Sequence, residues 1–163
     1  MRAGAVEASA SERLRAAFDE LYLPLLRLCA LLTGARESAE DIVQEAFVRV
    51  AARIEKVPPD ETAAYLRRVV VNLWKNHRRR LALERRPYPR APEMPSPSPN
   101  VDDAMWQQIR RLPERQRACV VLRFYEDLSE RDVAEILHVS VGTVKSQTSR
   151  ALAKLREELG DEA

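Results

Sequence analysis

Apolar residues recur along most of this chain at three- and four-residue steps, and neither half shows the strict alternation of a half-buried strand. Leu14, Phe18, Leu21, Leu25, Leu28 and Leu32 set out a first helix, and Thr33-Gly34 stops it with glycine as the left-handed cap. Ser38 followed by Asp41 resembles a capping box, which predicts a second helix with the stripe Val43, Ala46, Phe47 and Val50, running to about Ile54. Val57-Pro58-Pro59-Asp60 breaks the pattern. A third helix follows with Leu66, Val69, Val70 and Leu73 inward, while Arg67, Arg68, Lys75, Asn76, Arg78 and Arg79 lie mostly elsewhere.

The pattern resumes at Met105, Trp106 and Ile109, breaks at Leu112-Pro113, and continues with Ala118, Val121, Leu122 and Tyr125 on one face. Ser129, with Asp132 three residues on, opens a short helix carrying Val133, Ile136 and Leu137 inward. His138-Val139-Ser140 makes a tight turn before a longer helix on Val144, Thr148, Ala151, Leu152 and Leu155. Short helix, tight turn and longer helix form a helix-turn-helix pattern. His138 stands where a glycine would relieve a left-handed conformation, and is read as a tolerated turn residue.

Between the two helical parts the pattern vanishes. Six of the ten prolines fall between Pro87 and Pro99, in a stretch almost without aliphatic residues. That composition predicts a linker. The fold expected is therefore all-α, two small helical domains joined by a Pro-rich linker, the second a helix-turn-helix. Composition narrows the function classes. The 163 residues carry 32% charged side chains and a net charge of only +2, but from Arg67 to Arg86 eight basic residues face one acid, Glu84. Concentrated charge of this kind suits an anionic surface. The apolar run Leu21 to Leu32 is broken by Pro24 and Arg27 and is too short to span a bilayer, and the amino terminus lacks the apolar core of a secretory signal, so a cytoplasmic protein is expected. Cys29 and Cys119 are far apart and in no C-x-x-C pair, which predicts reduced packing residues rather than a metal or redox site. With two histidines, no glycine-rich phosphate loop and no clustered carboxylates, no catalytic constellation and no cofactor is expected.

Two segments carry candidate chemistry. In Ser140-Val141-Gly142-Thr143-Val144-Lys145-Ser146, Ser140 is a natural N-cap and the small side chains after it would let backbone approach phosphates. Lys145, Ser146, Ser149 and Arg150 could then project into a major groove, although a solvated helical hairpin has the same capping. The segment from Tyr65 to Arg80 mixes Tyr65, Trp74, Asn72, Asn76 and His77 with cations, a composition suited to single-stranded nucleic acid; the opposing reading is a solvated helix with Trp74 completing the core.

Taken together, Glu37 to Phe47 (ESAEDIVQEAF), Ala64 to Leu73 (AYLRRVVVNL), Leu112 to Ser129 (LPERQRACVVLRFYEDLS) and Val141 to Ser146 (VGTVKS) resemble an extracytoplasmic-function sigma factor, group IV of the sigma-70 family of bacterial RNA polymerase, in its SigE-like branch. The resemblance covers roughly residues 12 to 159. It implies sigma-70 region 2 at residues 12–83, binding core polymerase and the melted minus-ten strand. It implies the linker at 84–103, and region 4, reading the duplex minus-thirty-five element, at 104–159. It places Asp41, Gln44, Glu45 and Phe47 on the helix that meets core polymerase. Asn72, Asn76, Arg78, Arg79 and Arg80 fall at the minus-ten reader, with Val57 to Thr62 as the loop that receives an extruded base. Thr143, Lys145, Ser146, Ser149 and Arg150 fall in the minus-thirty-five groove. His138 in place of the family's common glycine, and Gln147-Thr148 where an arginine is frequent, depart from the pattern.

The function implied is promoter-specific initiation with core RNA polymerase and promoter DNA as partners, in the bacterial cytoplasm, without membrane insertion or catalysis. Many members also have an anti-sigma factor, and the sequence identifies none. The linker fits: its 20 residues, at ~3.1 Å each when extended by proline, reach about 62 Å. Two other readings use the same residues. A LuxR-like regulator would bind duplex DNA unaided, and a helical adaptor would tolerate charge reversal at Arg78, Arg79 and Arg80.

Overall fold

The computed structural model describes residues 8–84 and 102–160, and among them there are helices and turns but no strand. The linker expected at 84–103 lies outside the described residues except at its ends.

Helix α1 (Ala10–Thr33) starts on a reciprocal capping box, with Ser9 Oγ accepting from the Glu12 amide and Glu12 Oε2 from the Ser9 amide. It stops at Gly34, whose φ of 71° is the left-handed cap expected there. Helix α2 (Arg36–Ala51) begins at Ala35, not at the anticipated Ser38. Thr33 explains the earlier start. Its Oγ1 bonds the carbonyls of Cys29 and Ala35 and accepts from the Ala35 amide, so the turn between the helices is fixed before Ser38 is reached. After α2, two short 3₁₀ turns (Ile54–Lys56 and Pro59–Glu61) lead into α3 (Thr62–Leu83).

These three helices enclose a core that includes Leu25, Leu28, Leu32, Val43, Val50, Leu66, Val70 and Trp74, all nearly or fully inaccessible. The inward stripe of α3 is rotated from the one expected. Leu66, Val70, Val71 and Trp74 are buried, whereas Val69 and Leu73 are half-buried. The indole of Trp74 supplies the reason, because it is the largest apolar side chain of α3 and the helix turns to bury it. Phe18, expected inside, is 46% exposed and stacks on Tyr22 with 4.7 Å between ring centroids.

Helix α4 (Asp102–Arg111) is followed by α5 (Glu114–Val120), which passes directly into a π-helical turn, Val121–Tyr125. Helix α6 (Glu130–Leu137) carries Ser129 as its N-cap, and α7 (Val141–Leu159) carries Ser140, both as expected. His138 ends α6 at φ 54° and ψ 47°, in the left-handed region anticipated from its place in the turn. Cys29 and Cys119 are free thiols buried in the packing.

The two helical groups pack on each other. Helix α1 lies against α5 and the π-helical turn, and one continuous apolar cluster runs through both groups. The Tyr125 hydroxyl donates to the Pro24 carbonyl at 3.0 Å, Arg78 pairs with Glu114, and Arg67 Nε lies 3.9 Å from a Glu126 carboxylate oxygen.

Candidate nucleic-acid and partner interfaces

Helix α7 presents the more completely formed site. The Ser140 hydroxyl accepts from the Thr143 amide at 3.1 Å and lies 2.9 Å from Thr143 Oγ1, so two of the small polar groups at the helix start are occupied in building the cap. A Cβ at Gly142 would meet only Ser140 Oγ, at 3.8 Å. Packing within the protein therefore does not require glycine there, and the amino end of α7 is left bare toward the outside. One turn on, Lys145, Ser146, Ser149 and Arg150 are all exposed, while Val144, Ala151 and Leu155 bury the opposite side. Thr143 is half-buried. Lys145 Nζ lies 3.8 Å from Glu130 and the Ser146 hydroxyl donates to the Thr143 carbonyl. Both contacts are solvent-exposed and easily exchanged for a ligand.

Helix α3 divides differently. Asn72, Asn76, Arg79 and Arg80 are exposed, so amides and guanidiniums share its outer surface. Arg78 is half-buried, paired with Glu114 and 5.9 Å from the Trp74 ring centroid. The Trp74 ring is fully inaccessible, so of the two readings of this residue the structural one holds and no base can stack on it. Beside this surface, burial and then the Arg80 charge hold the His77 imidazole below its ordinary range, opposed by Asp41 on α2.

The loop before α3 is tied from a distance. Arg13 of α1 donates to the Val57 carbonyl at 2.6 Å and to Thr62 Oγ1 at 3.0 Å, bridging the two ends of the loop. Sequence reading missed Arg13, since nothing local marks a cation that acts 44 and 49 residues away.

On α2, Asp41, Gln44 and Glu45 are exposed along one side, with Glu45 paired to Arg49 at 2.7 Å. Phe47 is 7% exposed and closes an aromatic group with Phe18 and Tyr22, at centroid distances of 5.1 and 6.3 Å. Its part in any contact is thus to seat exposed neighbours, Phe18 and the 65%-exposed Val48 among them.

The described residues hold no group of three or more histidine, cysteine or acidic side chains able to bind a metal ion, and no helix long and apolar enough to cross a membrane.

Comparison with known proteins gives a consistent set of likenesses. Residues 17–84 match the family described as Sigma-70 region 2, and residues 102–155 the family described as Sigma-70, region 4. The chain is 39% identical over 145 residues to the RNA polymerase sigma-E factor of Streptomyces coelicolor, covering 83% of this chain and 79% of that one. With the ECF RNA polymerase sigma factor SigW of Bacillus subtilis it shares 28% identity over 166 residues, covering 88% and 84%. Among solved structures, the sigma factor RpoE in complex with the anti-sigma factor NepR from Bartonella quintana shares the fold, with a TM-score of 0.61 at 23% identity over 91% of this chain and 99% of that one.

Proposed function

Because this chain belongs to the extracytoplasmic-function sigma factors of the sigma-70 family, we propose that α2, α3 and α7 divide its work as a promoter-specificity subunit among three surfaces. The protein binds core RNA polymerase and directs promoter-specific initiation. The observation that carries this assignment is the pair of sigma-70 regions in order along one chain, each falling on one of the two helical groups. Region 2 is assigned to residues 12–83 and region 4 to 104–159, with the proline-rich linker between them. The protein works in the bacterial cytoplasm and carries no catalytic activity of its own; the solved sigma factor that shares its fold is bound to the anti-sigma factor NepR, which supports an anti-sigma factor as a candidate partner here, though none is identified.

The exposed carboxylates and amide of α2 (Asp41, Gln44, Glu45) meet core polymerase over the aromatic group that Phe47 anchors. Helix α7 enters the major groove of the upstream duplex, where the bare amino end at Gly142 lets the backbone close on phosphates, Thr143, Ser146 and Ser149 line the approach, and Lys145 and Arg150 reach base edges. Helix α3 takes the melted strand. Asn72 and Asn76 offer paired donors and acceptors to unstacked bases, while Arg78, Arg79 and Arg80 neutralise the backbone. The loop from Val57 to Thr62, held at both ends by Arg13, receives an extruded base.

Energetics favour capture over force. A DNA base-pair step is worth about 1.4 kcal/mol of stacking, and each hydrogen bond from Asn72 or Asn76 to an unstacked base returns about 0.5–1.5 kcal/mol, to which the guanidinium contacts with the backbone add. Trapping a few bases therefore shifts the duplex to the open state without nucleotide hydrolysis. The carboxy-terminal part, with ten basic and ten acidic residues from Ala104 onward, has little net charge to hold DNA alone, so recognition depends on the polymerase complex. Reconstitution with core polymerase on a promoter library tests the assignment. Protein-dependent initiation at a shared two-element motif is expected, whereas duplex binding by the protein alone with no initiation would move the assignment to a conventional regulator.

A further inference from the structure

The loop from Val57 to Thr62 has buried ends and an exposed tip. Val57 is 8% and Thr62 7% exposed, while Pro58, Pro59, Asp60 and Glu61 between them face solvent. Two consecutive prolines restrict the backbone of the tip and remove two amide donors. The Glu61 amide donates to the Pro58 carbonyl at 3.0 Å, a bond inside the tip that does not set the spacing of the two ends.

Arg13 spans those ends. Its Nη2 carries two hydrogens, and that nitrogen donates to the Val57 carbonyl at 2.6 Å and to Thr62 Oγ1 at 3.0 Å. The Thr62 hydroxyl, accepting from Arg13, donates onward to the Pro58 carbonyl at 3.5 Å. A single guanidinium nitrogen thus ties together the first, second and last residues of the loop. The backbone behind it is fixed as well, because Arg13 follows the Ser9–Glu12 capping box directly and its own amide donates to the Ser9 carbonyl at 2.9 Å. Arg13 Nε is buried without a hydrogen-bond partner. A donor left dry in this way is costly, and it marks a side chain placed for the two bonds that its far end makes.

We propose that Arg13 is a positioning residue for promoter recognition: by fixing the distance between Val57 and Thr62 it sets the width of the loop, and so which unpaired base the loop accepts. The inference rests on the assignment of that loop as the receiver of an extruded base. Selection by shape needs the surrounding groups held to within about 0.5 Å, which an exposed loop does not achieve unaided. The prolines stiffen the tip and the guanidinium fixes the mouth. Both acceptors of Arg13 are uncharged and the contacts are part-buried, so salt weakens this grip little. The exposed cations of α3, by contrast, lose their hold on phosphates steeply as salt rises. Base selection and strand affinity are thereby set by different arginines.

The test uses the full chain assembled with core polymerase. Two duplex libraries are built on a promoter from which the natural holoenzyme initiates, one randomised in the upstream element and one in the downstream element, each template carrying a transcribed barcode. Initiation is read by sequencing for the natural protein, Arg13→Gln, Arg13→Lys and Thr62→Val, with thermal denaturation of each. The natural protein is expected to prefer one base at a position of the downstream element, and Arg13→Gln to lower that preference about tenfold, within the discrimination of one good base contact. Arg13→Lys keeps a cation that can donate to the same acceptors, and is expected to retain an intermediate preference. Thr62→Val keeps the side-chain shape and removes one acceptor, and is expected to lose less than Arg13→Gln. Preference at the upstream element is expected to be unchanged in all forms. Natural downstream preference in Arg13→Gln, or in both Arg13→Lys and Thr62→Val should Arg13→Gln not fold, would overturn the positioning role and leave the loop assignment standing. An equal fall of preference at both elements would do the same. Absence of base preference at every downstream position in the natural protein would overturn the loop assignment and this inference with it.

Discussion

His138 adopts a left-handed backbone that a side chain resists. It holds the turn of the helix-turn-helix because its amide still bonds back to Glu135 and that of Val139 to Ala134. His138→Gly relieves the strain, and thermal denaturation is expected to show a gain of about 0.5–1 kcal/mol after the loss of chain entropy in glycine; a loss would contradict this reading of the turn. Glu126 has the opposite character. Burial raises its carboxyl above the ordinary 4.5, and the Arg67 charge only partly opposes this. The Cys29 thiol of α1 and the Tyr125 hydroxyl, both pushed up first by burial, feel its charge. Since the folded pKa is the higher one, the folded chain binds the proton more readily than the unfolded chain. The stabilisation is fully present below about pH 4.5 and is lost as pH rises through the raised pKa. Glu126→Gln removes this titration, so unfolding followed across that window is expected to be flatter in the variant than in the natural protein. A parallel pair of curves would place Glu126 in solvent.

At the scale of the elements, legibility followed how local the cause was. Gly34, Ser129, Ser140 and the break at Leu112-Pro113 act within a turn of themselves, and each stands where the sequence places it. Ser38 was misleading because the decisive bonds belong to Thr33, a side chain of the preceding helix. The π-helical turn after α5 has no mark in the apolar pattern, which reads Val121, Leu122 and Tyr125 as an ordinary helical face. The exposed residues of α7 were legible from the same period that buries Val144, Ala151 and Leu155. What glycine does at position 142 was not, since only the structure shows that its missing Cβ leaves space unused by the protein. Gly142→Ala is therefore expected to separate folding from recognition. Helix propensity raises stability by up to ~1 kcal/mol, while affinity for the upstream duplex in polymerase-dependent binding falls, because phosphate contacts position the helix rather than read sequence. Unchanged affinity would remove the close backbone approach from the recognition scheme.

For the whole molecule, the sequence supports two helical groups and a linker of sufficient reach, but not their docking. Arg78 and Glu114 are 36 residues apart, and Tyr125 and Pro24 are 101. No periodicity connects such pairs, and the even charge of the carboxy-terminal part conceals two acids placed against cations. The two surfaces are nonetheless proposed to do separable work: with α7 assigned to duplex DNA and α3 to the melted strand, loss of one is expected to leave the other's task intact once the duplex is already open. The most direct measurement is abortive transcription by reconstituted holoenzyme with Lys145→Ala plus Arg150→Ala, on one promoter supplied both as full duplex and with its downstream element already unpaired. At ~1–3 kcal/mol for each good base contact, initiation on the duplex is expected to fall at least about tenfold and to lose its dependence on the upstream element, with near-natural activity on the unpaired template. Equal loss on both templates, or natural promoter selectivity in the double variant, would contradict the division of labour between α7 and α3.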